Sequence, residues 1–278
     1  MKITAIETVL VNAIHRNWIF VKVLTDQPGL YGWGEATLEW KTRAVLGTIE
    51  DLSPFVVGED PRNISHILAR MSRFSFWPLG SIGMTAASAI EQALWDIKAK
   101  DLGVPVGQLP GGKVRDKVRV YTHPHMGKRK KPASNRDIPA FCDMVEETIA
   151  LGYNAIKLGF VPYTGYDAPL EEVLHTEKLA AAVRERVGTS VDIMTDFHGR
   201  PDTIDAAKAY IDVIAPIKPL FVEEPIQPGD AHAMADLARR VDCPLATGER
   251  LFMPREFADI AETRAVAYVQ PDLCHCGG

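Results

Sequence analysis

The feature that most constrains the fold is a regular alternation of short apolar runs and helical stretches from Val114 onward. The apolar runs occupy residues 117–122, 155–160, 191–197, 220–224, 244–248 and 266–271. The helical stretches between them occupy residues 137–151, 170–187, 203–214, 230–240 and 254–262. Strands separated by helices in this way predict an α/β fold with a parallel sheet.

The strand series favours a barrel over a dinucleotide-binding sheet, because no glycine-rich GxGxxG turn follows any of the runs. Six strands are predicted where a closed barrel has eight. An open sheet curved for a barrel would expose strand edges and apolar surface, which favours aggregation. We therefore expect the barrel to be truncated here after about the sixth strand, with about 60 or more further residues outside this chain.

The first third of the chain has a different pattern, in which strands come first and helices follow. Strands are predicted at residues 2–14, 18–25 and 30–36, and helices at residues 41–52, 63–71 and 84–102. Gly103 stands where a helix stop is expected, and Pro105 lies just beyond it. This order predicts an α+β domain that ends near the Pro-Gly-Gly break at residues 110–112.

Acidic residues end three consecutive predicted barrel strands. Asp196, Glu223 and Glu249 are separated by 27 and 26 positions, one βα unit each time. Because barrel enzymes gather their chemistry at the carboxyl ends of strands, the three carboxylates should converge. A single acid at such a place is commonly a helix cap or a solvated loop residue. Three in phase predict a cation site, and oxygen-only ligation favours Mg²⁺.

Histidines lie close to the same strand ends. His198 follows Asp196 by two positions, so the two side chains point to the same face of the strand. An imidazole there is placed to protonate a leaving hydroxide, although a histidine that merely binds a neighbouring carbonyl is the alternative. His123 and His125 follow the first barrel strand, where they are candidates for contact with substrate hydroxyls or are ordinary loop residues.

The bulk composition excludes several functional classes. A net charge of −5 gives no reason to expect nucleic-acid binding. The basic run at residues 128–131 has no aromatic partner and is interpreted as a solvated loop. No apolar run has the length of a membrane span, and the first seven residues alternate like a strand rather than a signal peptide. We therefore expect no membrane partner. Four cysteines in a chain of this size do not suggest a disulfide framework, so we expect a reducing cytoplasm.

Taken together, several segments resemble the mandelate racemase subgroup of the enolase superfamily. They are Asp-Phe-His-Gly-Arg at 196–200, Val-Glu-Glu-Pro-Ile at 222–226, Gly-Glu-Arg at 248–250, Gln-Pro-Asp-Leu at 270–273, Gly-Trp-Gly-Glu at 32–35 and Ala-Leu-Trp-Asp-Ile at 93–97. The form at 196–200 is most similar to the acid-sugar dehydratases of the galactonate dehydratase type. The resemblance covers the whole chain.

The resemblance implies two domains, a capping domain over residues 1–115 and a modified (β/α)₇β barrel of TIM type over residues 116–278. It assigns Mg²⁺ to Asp196, Glu223 and Glu249, and places Glu224 behind them. Lys157 then lies near the substrate carboxylate.

The family roles imply a dehydration. His198 corresponds to the acid that helps expel the 3-hydroxyl. Asp272 corresponds to the aspartate of an Asp-His dyad, whose histidine belongs to a seventh strand that this chain does not contain. We therefore expect the chain by itself to be inactive or nearly so. Further candidates for substrate contact are His15 and Trp18, in the loop where the family's capping domain enters the site, and Arg250.

The function expected from this resemblance is dehydration of a sugar acid such as galactonate to a 2-keto-3-deoxy acid. Racemases and muconate-type enzymes carry Lys-x-Lys on the second strand, whereas this chain has Lys157-Leu158-Gly159, which disfavours two opposed lysine bases. Dehydration of gluconate, mannonate or arabinonate, a racemase or cycloisomerase, and a non-catalytic family member remain alternatives. The expected partner is a small-molecule sugar acid, and we expect a homo-oligomer.

Overall fold

A computed structural model describes residues 1–13, 16–74, 76–124, 131–162 and 165–278, with only the backbone at Phe74. The chain forms two compact units. One contains residues 1–116 together with 249–254 and 271–278, and the other contains residues 117–248 and 255–270. The first is called the N-terminal unit and the second the barrel unit.

The N-terminal unit begins with a three-stranded antiparallel sheet. Its strands are β1 (Ile3–Asn12), β2 (Asn17–Thr25) and β3 (Tyr31–Glu35), in that spatial order. On the central strand β2, the alternate residues Ile19, Val21 and Val23 are fully buried, as expected for a strand with one face on a core. The predicted strands are therefore confirmed to within two residues at each end.

Three helices supply the rest of the core; the last of them packs on the sheet, and the other two pack against that helix. They are α1 (Thr42–Leu52), α2 (Ile64–Phe74) and α3 (Gly80–Leu102). The helix α3 is rich in alanine and buries residues on most of its circumference, so its neighbours approach it closely. It ends at Gly103, whose φ of 69° is the left-handed conformation that glycine adopts without a Cβ penalty.

Close approach between β3 and α3 depends on two glycines. A Cβ placed on Gly32 would lie 1.9 Å from the carbonyl oxygen of Ala93, and one on Gly34 would lie 1.9 Å from that of Ala89. No real side chain tolerates such a contact, so the Gly-Trp-Gly sequence fixes the strand against the helix backbone.

The segment 271–278 completes the polar contacts of α3 within the same unit. Gln92 Nε2 donates to the carbonyl oxygen of Leu273 at 2.8 Å, and the backbone N–H of Gly277 donates to Ser88 Oγ at 2.8 Å. Thr85 Oγ1 lies 2.9 Å from Nδ1 of His275. These polar residues of a buried helix are therefore paired with a segment nearly two hundred positions away in the chain.

The barrel unit alternates helices and parallel strands. Its helices are α4 (Ile138–Ile149), α5 (Leu170–Val187), α6 (Ile204–Ile214), α7 (Ala231–Ala238) and α8 (Pro254–Thr263, whose first residue clusters with the N-terminal unit). Its strands are β4 (Ala155–Leu158), β5 (Asp192–Asp196), β6 (Val222–Glu223), β7 (Leu245–Thr247) and β8 (Tyr268–Val269), hydrogen-bonded in that order. The predicted βα alternation is confirmed.

Local sequence explains where several of these helices begin. The side chains of Asp137, Thr203 and Asp230 accept hydrogen bonds from backbone N–H groups three residues further on, at the starts of α4, α6 and α7. Each thus satisfies one of the N–H groups that a helix start leaves unpaired. A small apolar cluster that includes Ala155, Met194, Phe221 and Ala246 packs between neighbouring strands.

One predicted element is wrong. Residues 117–122 were expected to form the first barrel strand, but within these described residues only Thr122 forms a bridge, to Ile156 of β4. Val118 and Val120 are exposed, so this segment lacks the apolar cover that would fix an extended strand. No helix in the described part of the chain is long and apolar enough to cross a bilayer.

Candidate active site

Two carboxylates lie side by side at the carboxyl ends of neighbouring strands. Asp196 ends β5 and Glu223 ends β6, and the two residues are direct partners in the parallel register. Only 2% of Asp196 and 1% of Glu223 is exposed. Two buried like charges raise the free energy of the folded state unless a cation neutralises them, so this arrangement requires a positive charge nearby.

Lys157 of β4 supplies such a charge. Its Nζ lies 2.8 Å from Asp196 Oδ2 and 2.7 Å from Glu223 Oε2, and its side chain is 6% exposed. Burial by itself lowers the pKa of Lys157, but the two carboxylates outweigh it and hold the pKa above its ordinary value. The lysine is therefore a permanent cation between the two acids.

His198 adds a half-exposed imidazole to this group. Its backbone N–H donates to Asp196 Oδ1 at 3.0 Å, and its Nε2 lies 3.1 Å from Asp196 Oδ2. Burial raises the pKa of Asp196, but the His198 ring and the Lys157 ammonium outweigh it and lower the pKa to about 2. His198 has a φ of 51°, an uncommon conformation for a residue with a side chain, and such strain is often found at functional sites.

Glu224, the residue directly after β6, adopts a similar conformation with a φ of 39° and is fully buried. Its carbonyl oxygen accepts a hydrogen bond from the N–H of Gly199 at 2.7 Å, one residue after His198. The two strained strand ends are therefore joined directly, which fixes the backbone that carries the imidazole.

The pKa of His123 depends in part on the charges of Lys157, Asp196 and Glu223. Burial lowers the pKa of His123, the charge of Lys157 lowers it further, and the opposing influence of Asp196 and Glu223 is weaker. The ring is therefore held neutral at physiological pH, a state with one N–H donor and one acceptor nitrogen.

The other predicted site residues are placed as follows. Glu249 directly follows the glycine after β7 and clusters with the N-terminal unit. Arg250 beside it is exposed. Asp272 accepts a hydrogen bond from the N–H of Cys274 at 2.8 Å, and its Oδ2 lies 3.6 Å from His275 Nε2. Trp18 belongs to β2 rather than to a loop, and its side chain is partly exposed.

His15 and His125 lie outside the described residues.

The donor set suits a hard divalent cation. Asp196 Oδ2 is buried, and its close contacts among the described residues are Lys157 Nζ at 2.8 Å and His198 Nε2 at 3.1 Å. Carboxylate oxygens of this kind are the ligands that Mg²⁺ prefers. Within the described ranges no three His, Cys, Asp or Glu side chains form a metal-holding group, so the three-carboxylate site stays a prediction.

Sequence reasoning missed one member of the group, Gln270. Its Nε2 donates to Glu223 Oε2 at 2.9 Å and lies 3.3 Å from the hydroxyl of Tyr121. The signal was present in the Gln-Pro-Asp segment that follows β8. It carried no chemistry by itself, because an amide is recognisable as a site residue only once its partner is known.

Comparison with known proteins extends this picture to the whole chain. Residues 3–111 match the family "Mandelate racemase / muconate lactonizing enzyme, N-terminal domain", and residues 140–278 match "Enolase C-terminal domain-like". The chain belongs to the enolase superfamily. The predicted resemblance and the fold class, a capping domain with a barrel, are thereby confirmed.

Individual members of the superfamily match along the full chain. D-galactonate dehydratase of Pectobacterium atrosepticum is 36% identical over 278 residues, which are 100% of this chain and 69% of that protein. The D-galactonate dehydratase of Ralstonia nicotianae is 37% identical, again with 100% and 69% covered. A solved enolase superfamily member from Salmonella Typhimurium has a TM-score of 0.93 at 29% identity and covers 100% of this chain and 75% of its own.

Proposed function

We propose that this enolase superfamily chain carries the acid and electrostatic half of a sugar-acid dehydratase, acting on a galactonate-like aldonate. The observation that carries the proposal is the buried group of Asp196, Glu223 and Lys157 with His198 at its exposed side. Its similarity to D-galactonate dehydratases supports the substrate class.

The proposed reaction is the loss of water from C2 and C3. A base removes the proton on C2, the bond between C3 and its hydroxyl oxygen breaks, and an enol forms that tautomerises to the 2-keto-3-deoxy acid. His198, in its protonated form, gives its proton to the departing hydroxide, so water leaves. The base is the histidine that the family pairs with the aspartate at the position of Asp272.

The difficult step is the first, because removing a proton next to a carboxylate adds negative charge to a group that is already an anion. We assign Mg²⁺ to Asp196, Glu223 and Glu249; when bound, it supplies positive charge that favours the deprotonated substrate. A pair of unit charges at about 4 Å is worth ~4 kcal/mol at an effective dielectric of ~20. Each ~1.4 kcal/mol changes the rate about tenfold.

Residues of this chain orient the substrate in the proposal. Lys157 places a permanent positive charge against the substrate carboxylate. His123, as a neutral ring, exchanges hydrogen bonds with sugar hydroxyls, and His15, Trp18, His125 and Arg250 are further candidates for contact. We also propose a homo-oligomer in a reducing cytoplasm, with which the four free cysteines agree.

The proposal is tested by turnover of the full-length gene product on a panel of diastereomeric aldonic acids with Mg²⁺. We expect a 2-keto-3-deoxy acid, detected as its semicarbazone, from galactonate or one close epimer, and a loss of at least about a hundredfold in kcat with His198→Asn.

Two other outcomes would contradict the proposal. A racemase would exchange the C2 proton with deuterated solvent and leave the total substrate unchanged. A non-catalytic protein would neither consume an aldonate nor bind Mn²⁺ at Asp196 and Glu223, which titration of Asp196→Asn against the original chain would reveal.

A further inference from the structure

We propose that Gln270 is a positioning residue that holds the carboxylate of Glu223 in the orientation used for cation binding. The inference goes beyond the proposed function to a residue that was given no role in it, and it rests on that function for the identity of the cation site. It is carried by the contacts of Gln270 inside the barrel unit.

The backbone brings Gln270 to the site. Its N–H donates to the carbonyl oxygen of Thr247 at 3.0 Å, which extends the pairing of β8 with β7 by one step. Gly248 permits this approach, because a Cβ there would lie 2.7 Å from the backbone nitrogen of Gln270. The φ of Gly248 is 141°, a conformation that side-chain-bearing residues rarely adopt.

The side chain then has to cross one strand. Glu223 of β6 is the register partner of Ala246 in β7, and Ala246 is the partner of Tyr268 in β8. Gln270 lies two residues beyond Tyr268, on the same face of the strand. Because the residue between them is only an alanine, the amide can reach over β7 and donate to Glu223 Oε2.

This contact shares one oxygen of Glu223 between two donors. Lys157 Nζ donates to Oε2 at 2.7 Å, and Gln270 Nε2 donates to the same oxygen at 2.9 Å. Lys157 belongs to β4 and Gln270 follows β8, so the two donors come from opposite sides of β6 in the sheet. Two fixed donors on one oxygen determine how the carboxylate is turned. A lysine by itself, with a flexible four-carbon stem, would leave that orientation looser.

The amide also has an unused acceptor. Gln270 Oε1 is buried and has no hydrogen-bond partner among the described residues. A purely structural glutamine would be expected to satisfy both ends of its amide, since buried polar groups are rarely left unpaired. The unpaired oxygen is suited to accept a hydrogen bond from a substrate hydroxyl or a water.

The test compares a variant that removes this contact with a control that leaves it in place. Gln270→Met keeps the length of the side chain and removes its donor and acceptor. Tyr121→Phe is the matched control, because it removes a hydroxyl that touches Gln270 but leaves the bond to Glu223 intact. Binding of Mn²⁺ to the 278-residue chain is measured by electron paramagnetic resonance of the free ion.

We expect Gln270→Met to weaken Mn²⁺ binding by roughly 10- to 100-fold, the usual effect of losing a partner of a metal ligand, and Tyr121→Phe to change it less than about threefold. Equal affinities for Gln270→Met and the original chain would overturn the inference. So would an equally large loss in Tyr121→Phe, since the effect would then come from general packing.

A metal-free crystal structure of Gln270→Met separates this inference from the proposed function. Glu223 turned away from Lys157 supports the positioning role even if the original chain binds no Mn²⁺, an outcome that would refute the metal site instead. Glu223 unmoved, with both contacts to Lys157 intact, overturns the positioning role whatever the metal does.

Discussion

At the scale of single residues, the buried Glu91 of α3 makes the free energy of unfolding depend on pH. It is 8% exposed, accepts a hydrogen bond from Trp95 Nε1 at 2.5 Å, and has a second oxygen without a partner among the described residues. Burial raises the pKa of Glu91, and the Trp95 hydrogen bond only partly opposes this. Burial raises the pKa of the Cys276 thiol, and the charge of Glu91 contributes to this.

The sign of the effect follows from this direction. A carboxyl whose pKa is raised by folding binds protons more tightly in the folded state, so its ionisation disfavours folding. The contribution of Glu91 to the free energy of unfolding is therefore largest below its ordinary pKa of about 4.5 and falls as the pH rises through the raised value. We predict that Glu91→Gln, which keeps an acceptor for Trp95, is more stable than the original chain at pH 8 and equally stable near pH 4.

Urea unfolding at several pH values checks this prediction. Glu50→Gln, at an exposed position of α1, is the control and should change the free energy of unfolding by no more than about 0.5 kcal/mol at any pH. A stability difference for Glu91→Gln that stays constant between pH 4 and pH 8 would contradict the assignment.

Single residues also show what the sequence can and cannot predict about the site. The adjacency of Asp196 and Glu223 follows from strand order alone, and His198 follows from the alternation of side chains along a strand. The contacts of Lys157 and Gln270 with Glu223 cannot be predicted in this way. Both side chains reach across a neighbouring strand, and whether they can do so depends on the size of the residue that lies between. Sequence spacing contains no information on that until the register is known.

At the scale of secondary structure elements, the packing of β3 on α3 rests on glycine. We predict that Gly34→Ala destabilises the N-terminal unit by about 1–3 kcal/mol or more, because its Cβ would lie 1.9 Å from a backbone oxygen that cannot move without shifting α3. Chemical denaturation followed by tryptophan fluorescence measures this, since all five tryptophans lie in the first 95 residues.

The matched control for this substitution is Gly47→Ala in the middle of α1. No atom lies within 4 Å of a Cβ added there, and alanine is the better helix former. We expect Gly47→Ala to stabilise the protein by about 0.5–1 kcal/mol. Destabilisation of similar size in both variants would show that the contact with Ala89 is not the cause.

Elements were predictable where their signals are local. The helix starts at Asp137, Thr203 and Asp230 are marked by the capping residue itself. The βα alternation is marked by the spacing of apolar residues within each segment. Residues 117–122 have the same alternating pattern but form no strand beyond one bridge, because a strand needs a partner that local sequence does not supply. The partners of the polar residues of α3 could not be predicted for a related reason, since they lie in residues 273–277.

At the scale of the whole molecule, two of the proposed cation ligands, Asp196 and Glu223, both lie in the barrel unit. A ligand that binds only the folded state stabilises it by about 2.7 kcal/mol at a hundred times its Kd. We therefore predict that saturating Mg²⁺ slows hydrogen exchange at the backbone of β5 and β6, where the two acids lie. Mass spectrometry of peptides that cover residues 192–196 and 220–224 measures this protection.

The specific cause of that protection is isolated by Asp196→Asn combined with Glu223→Gln, which keeps the shapes of both side chains and removes their charges. Lys157 then loses its two anionic partners, which lowers the stability of the variant before any metal is added. Hydrogen exchange of the variant is therefore compared with and without Mg²⁺ rather than with that of the original chain. Tryptophan fluorescence establishes that the N-terminal unit is still folded. If Mg²⁺ protects β5 and β6 equally in this variant, the ion is not held by Asp196 and Glu223, because neither of these two carboxylates remains.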